Sequence, residues 1–161
     1  MKGSDMIERT VKHDTIVLER TFAAAPARVF AAWADPASRS RWAVPSGDWE
    51  TAEDQSDFRV GGREVSRFGP PGDARYRAET NYLNIVPDRR IIMAGTMAEL
   101  DTPISVSMAT VELLPAGTGT RMIYTEQAAF LDGRDKPEYR RKGWETNMTQ
   151  LEAYLRDEAA K

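Results

Sequence analysis

Between positions 49 and 131 the chain alternates charged and apolar residues with a period of about two, the signature of strands with one wet face. Arg121 outward turns Met122, Tyr124 and Glu126 inward. Glu112 outward does the same for Val111 and Leu113, followed back by Ala109, Ser107 and Ser105. Arg90 outward places Ile91, Met93, Gly95 and Met97 inside, and Arg75, Arg77 and Glu79 outward leave Tyr76, Ala78, Thr80 and Tyr82 inside. Leu83 and Ile85 break that phase and predict a bulge near Asn81. Turn formers at Gly61-Gly62, Pro70-Pro71-Gly72-Asp73, Pro87-Asp88, Asp101-Thr102-Pro103 and Pro115-Ala116-Gly117 cut the region into strands over 49–54, 63–68, 74–86, 90–98, 104–114 and 120–131. A seventh strand over 15–22 precedes them, carried by Ile16, Val17 and Leu18.

The period changes to that of helices in two other places. Pro26 suits a first helical position, with Val29, Phe30 and Trp33 forming an apolar face. Asp35-Pro36 ends that helix and caps a second over 36–42. A long helix is expected from Asp135 to about Glu158, with Pro137 in its first turn and Asp135 and Glu138 forming a capping box. Trp144, Met148, Leu151 and Leu155 recur at i, i+4, i+7 and i+11 as one apolar stripe. Arg140, Lys142, Glu145, Thr149, Glu152 and Arg156 are assigned to other faces, and the run Arg140-Arg141-Lys142 to a solvated one. Gly143 costs a helix about 1 kcal/mol against alanine, which predicts that the sheet or a ligand approaches the backbone there, with Trp144 as a lid.

The order strand, helix, helix, six strands, long helix defines an α+β fold, a seven-stranded antiparallel sheet with segregated helices. Residues 1–13 lack periodicity and read as a loose tail; 14–161 suffice for a single domain.

Composition removes several classes of function. The chain has no cysteine, so disulfides and thiolate chemistry are absent. Its 22 basic and 25 acidic residues, net charge −3, are interspersed, which points away from nucleic acid. No apolar run suits a signal or membrane span, so no membrane partner is expected and a cytoplasmic setting is. His13, the one histidine, lies in the unpatterned start and is expected to be exposed; no metal site or cofactor is predicted. Gly61-Gly62 precedes a strand rather than a helix, so it is a turn and not a phosphate cradle.

The inward face is mostly apolar with a few polar groups, the composition of a ligand cavity. Trp42, Trp49, Tyr82, Met93, Ser107, Tyr124, Glu126, Trp144 and Met148 are its candidate wall, while Trp33 is assigned to the core. A desolvated carboxylate can serve as acid, base or polar anchor, so Glu126 is the candidate catalytic group, with Tyr124 as polariser. The ligand so implied is a small apolar or aromatic molecule. A cavity enzyme and a protein-interaction module are the alternatives, and a homodimer through a sheet edge or face is compatible with the pattern without being required by it.

Arg20-Thr21-Phe22 leading to Ala25-Pro26 and Val29-Phe30, Trp33 through Asp35-Pro36 to Trp42, and Asp57-Phe58-Arg59-Val60-Gly61-Gly62 occur in an order that resembles a known family. The likeness continues through Tyr82-Leu83-Asn84-Ile85-Val86-Pro87, Gly119-Thr120, Gly143-Trp144, Leu151 and Tyr154-Leu155. The chain resembles START-like (helix-grip) domains of the SRPBCC superfamily, in the branch of activator of Hsp90 ATPase homologues. The resemblance implies a strongly curved sheet around the C-terminal helix with a hydrophobic cavity between them. Members of the superfamily bind lipids, polyketides and other apolar molecules, and some are cyclases or hydrolases. Eukaryotic activators resembling this branch carry a further N-terminal domain that engages the chaperone. With about a dozen residues before its first strand, this chain is not expected to take an Hsp90-type partner. No shared catalytic motif exists to carry over.

Overall fold

The computed structural model describes residues 8–44, 48–159 and 161. Its elements follow the predicted order: β1 (Val11–Phe22), α1 (Pro26–Ala34), α2 (Pro36–Trp42), β2 (Glu50–Ser56), β3 (Arg63–Gly69), β4 (Tyr76–Val86), β5 (Arg90–Glu99), β6 (Thr102–Ala116), β7 (Gly119–Leu131) and α3 (Pro137–Ala159). The strands form one antiparallel sheet in the order β1-β7-β6-β5-β4-β3-β2. Several strand ends extend a residue or two past the apolar pattern, since hairpin pairing continues into the polar residues beside the turns, while β2 and β4 begin inside their expected bounds of 49 and 74. β1 begins at Val11, earlier than the apolar run suggests, so His13 is an exposed strand residue paired with Ala129. The first seven residues of the predicted tail lie outside the described residues.

Inward alternation on β6 and β7 holds as read: Ala109, Val111, Leu113, Met122, Tyr124 and Glu126 are all buried. Two bulges modify it. The β4 irregularity expected near Asn81 falls two residues on, at Leu83, because Tyr82 pairs with Met93 and Asn84 already pairs with Ile92. Leu83 is extruded to solvent there, and Ile85 returns to the core. The second bulge lies where Met97 pairs with Ser105 and Ala98 with Pro103, which turns Ile104 inward beside Ser105.

Gly95 marks where the sheet is drawn tight. A Cβ built on this inward position would lie 2.0 Å from the Glu79 carbonyl oxygen, so only glycine lets the β4 backbone come this close to β5. The helices then pack on the concave side. Asp35 caps α2 by accepting from the Ala37 N–H (3.2 Å) and the Ser38 hydroxyl (2.8 Å), and α3 packs against β1, α1 and α2. Val29, Trp33, Trp42, Val111, Met122, Met148 and Leu151 are core residues joining the helices to the central strands.

The start of α3 departs from its predicted form. Pro137 is the first helical residue, and Asp135, two positions earlier, does not act as its cap. The Asp135 carboxylate accepts from the adjoining Lys136 N–H (2.8 Å) and from the Arg140 guanidinium (2.8 Å). An ion pair has displaced the capping box.

Candidate functional site

A cavity of about 520 Å³ lies between the concave face of the sheet and the three helices. Its deep wall is aromatic. Trp33 on α1 meets Trp42 on α2 edge to face at 4.8 Å and lies nearly parallel to Trp144 on α3 at 5.9 Å. Tyr124 on β7 is 4.2 Å from the Trp144 ring. A second aromatic group, Trp49, Phe68 and Tyr76, is half-buried farther along, with Trp49 and Tyr76 stacked at 5.4 Å. Met93, Gly95, Ser107 and Ala109 form the sheet side between them, and Gly143 borders the same space from α3.

Two buried polar clusters border the cavity. In the first, Arg140 Nη1 donates to Glu126 Oε2 (2.8 Å), and Arg140 Nη2 donates to Ser105 Oγ (2.6 Å) and Asp135 Oδ2 (2.8 Å). The Tyr124 hydroxyl donates to the other Glu126 oxygen at 2.8 Å. One guanidinium thus joins α3, β6, β7 and the segment before α3. In the second, Arg39 on α2 donates to Glu64 on β3, to the Tyr82 hydroxyl on β4 and to Ser56 on β2, while Tyr82 also donates to Glu64. Burial opposes the charge on both arginines, but Glu126 with Asp135, and Glu64 with Tyr82, outweigh it and hold each guanidinium above its ordinary pKa.

Burial, reinforced by Glu126, pushes the Tyr124 phenol well above its ordinary value. Burial also raises Tyr82, where the pull of Arg39 is set against the push of Glu64. A tyrosine in the unfolded chain titrates near pH 10, so above that pH the unfolded state releases protons the native state keeps. The stabilisation is complete below about pH 10 and decreases as pH rises, by up to about 1.4 kcal/mol per pH unit for each tyrosine. Urea unfolding at about pH 8, 10 and 11 checks this, and Tyr124→Phe should flatten the decline.

Of the candidate wall residues, Trp42, Trp49, Tyr82, Met93, Ser107, Tyr124, Glu126 and Trp144 border the cavity and Met148 does not. Met148 is fully buried in the core, one position around α3 from the cavity-facing Asn147. Trp33, assigned to the core, is both core and cavity wall. The largest differences concern charge. Arg140 is not on a solvated face but buried against Glu126, and Arg39 and Glu64, unremarked in the sequence, form the other cluster. The signal was periodic: Arg140 stands four residues before Trp144, and Arg39 three before Trp42, so each shares a helix face with a tryptophan of the cavity wall.

A curved antiparallel sheet closed by a long C-terminal helix over an aromatic cavity defines a START-like, helix-grip protein of the SRPBCC superfamily. Within that class the chain belongs to the Activator of Hsp90 ATPase homolog 1-like protein family, whose model matches residues 23–156. Among solved structures, the Mll3558 protein from Rhizobium loti is 44% identical with a TM-score of 0.82, covering 91% of this chain and 99% of that one. A protein from Rhizobium leguminosarum is 34% identical with a TM-score of 0.83, covering 94% and 99%. The AHSA1-like protein from Aeromonas hydrophila shares the fold at 20% identity and a TM-score of 0.73, covering 92% and 96%. No curated protein matches. Among the described residues there is no group of acidic or histidine side chains that could hold a metal ion, and no helix long and apolar enough to cross a membrane.

Proposed function

We propose that this protein binds a small, largely apolar aromatic molecule in the cavity between the sheet and α3. The observation that carries the reading is the cavity itself: about 520 Å³ of space, walled by tryptophan, tyrosine and methionine, with a few buried polar groups facing it. That size and composition suit a molecule of a few fused or linked rings. Glu126 and Tyr124 serve as anchors in this reading rather than as an acid–base pair. One Glu126 oxygen accepts from Tyr124 and the other from Arg140, which holds the carboxylate in place while each oxygen keeps a second lone pair for a ligand donor. Binding takes place in the cytoplasm in this proposal, in keeping with a chain that has no cysteine.

A thermal-shift screen of the purified protein against a broad library of apolar aromatic compounds tests the proposal. A true ligand present at a hundred times its dissociation constant should add about 2.7 kcal/mol of stability and raise the melting temperature accordingly. No shift with any compound, together with no small molecule retained in native mass spectrometry, would overturn it.

A further inference from the structure

The convex face of the sheet, away from the cavity, is dressed unevenly. On β3 and β4 it carries Arg63, Arg67 and Arg77, with Glu79 answering Arg63 and Arg77. A solvated sheet face ordinarily looks like this across its width. The half built from β1, β7, β6 and β5 does not. The register sets Val17, Thr125, Thr110 and Ile92 side by side in one row across those four strands, pointing away from the buried Ile16, Tyr124, Val111 and Ile91. The next two rows, through Met108 and Val106, likewise contain no aspartate, glutamate, lysine or arginine. Charged residues make up 29% of the chain and concentrate on surfaces, so an outward block of three such rows should hold at least about three of them. Instead Val17, Val106 and Met108 stand 49%, 47% and 42% exposed on it.

The borders of the block are those of an interface. At one end the next row brings Glu19, Glu112 and Arg90, with Glu19 tied to Arg121 on the neighbouring strand. At the other end Val11 and Leu131, paired across β1 and β7, extend the block without charge. Four strands about 4.8 Å apart and three side-chain rows about 6.8 Å apart give a footprint of about 400 Å², roughly half of what each partner contributes to a standard interface. That is room for a dry centre, with the surrounding polar residues as its rim. The outer edge of β1 is less open to a partner, because Arg141 on α3 donates to the Val17 carbonyl (3.2 Å) and Arg20 reaches across to Glu152 (3.9 Å).

We infer that two copies of this chain associate through the convex face of β1, β7, β6 and β5, sheet against sheet, around a two-fold axis near Met108. A block without charge is complementary to itself, as a two-fold interface requires, and gives an acidic or basic partner nothing to select. Its threonine, valine and alanine side chains are short, so the face is even enough for two sheets to stack about 10 Å apart. The dimer is independent of what the cavity holds, since the cavity lies on the concave side.

Sedimentation velocity and light scattering of the purified chain test it. Interfaces of standard area dissociate at micromolar concentrations or below, so at about 100 μM the mass should be twice the 18.0 kDa of one chain. Met108→Lys changes only an exposed residue of the single chain but buries two charges in the dimer, and should raise the dissociation constant at least about a hundredfold. Val60→Lys, at an exposed residue between β2 and β3, should leave it unchanged. Since the chain has no cysteine, Met108→Cys introduces a single thiol close to its own copy, and under mild oxidation it should cross-link at least about tenfold faster than Val60→Cys at equal concentration. A wild-type monomer at that concentration, a dimer that survives Met108→Lys, or equal cross-linking rates would each overturn the inference. The wild-type mass and the two cysteine variants decide where a lysine variant does not fold.

Discussion

Replacing Arg140 with methionine should destabilise the protein by about 3–5 kcal/mol, the usual range for removing one partner of a buried ion pair. Methionine keeps much of the side-chain volume, so the loss comes from what the guanidinium leaves behind. Glu126 and Asp135 have side chains only 5% and 12% exposed, and both direct an oxygen at Arg140. Ser105 Oγ, also buried, loses its donor in the same substitution. Urea denaturation monitored by tryptophan fluorescence gives the number. Glu126→Gln placed on the R140M background should recover part of the loss, because a neutral amide tolerates burial where a carboxylate does not. A double-mutant cycle with additive losses would show that the two side chains are not coupled.

Trp42→Ala should remove a similar amount, about 3–5 kcal/mol, by a different route. The indole has no exposed surface, packs against Trp33, and donates its N–H to the Ala32 carbonyl at 3.0 Å. The space it leaves would merge with the cavity instead of closing, so little of the lost contact is recovered by collapse. Trp42→Phe, which keeps an aromatic ring but not the donor, should lose clearly less. Equal midpoints in urea for W42A and the parent protein would mean that α2 is not held by this side chain.

The architecture was legible because each of its parts has a local cause. Asp35-Pro36 starts α2 at the residue the sequence indicates, and the charged positions of β6 and β7 fix which residues turn inward over most of both strands. The site was legible where a strand's alternation was unbroken, as at Tyr124 and Glu126 on β7. It was illegible at Arg140 and Arg39, because a cation within a polar run looks solvated until the carboxylate that neutralises it is known. Those carboxylates stand 14 and 25 positions away. Asp135 was misassigned for the same reason, since nothing local says whether a carboxylate before a helix will cap it or reach one turn onward to an arginine. The β4 bulge was signalled by the phase break at Leu83 and Ile85, whereas the one at Ile104 depends on how neighbouring strands share curvature, which no single strand's alternation contains.

The place of β1 in the sheet bears on how the molecule comes into being. β2 through β6 each pair with the next strand in the chain, so the meander can zip up hairpin by hairpin over short loops. β1 instead pairs with β7, Val11 opposite Leu131, and must wait for the last strand. During synthesis from the N-terminus, β1, α1 and α2 therefore emerge first and become anchored late. α1 and α2 supply Trp33, Arg39 and Trp42 to the cavity. The cavity is thus assembled across a long loop closure, and a nascent chain stopped short of β7 would hold only part of the sheet, without the pocket.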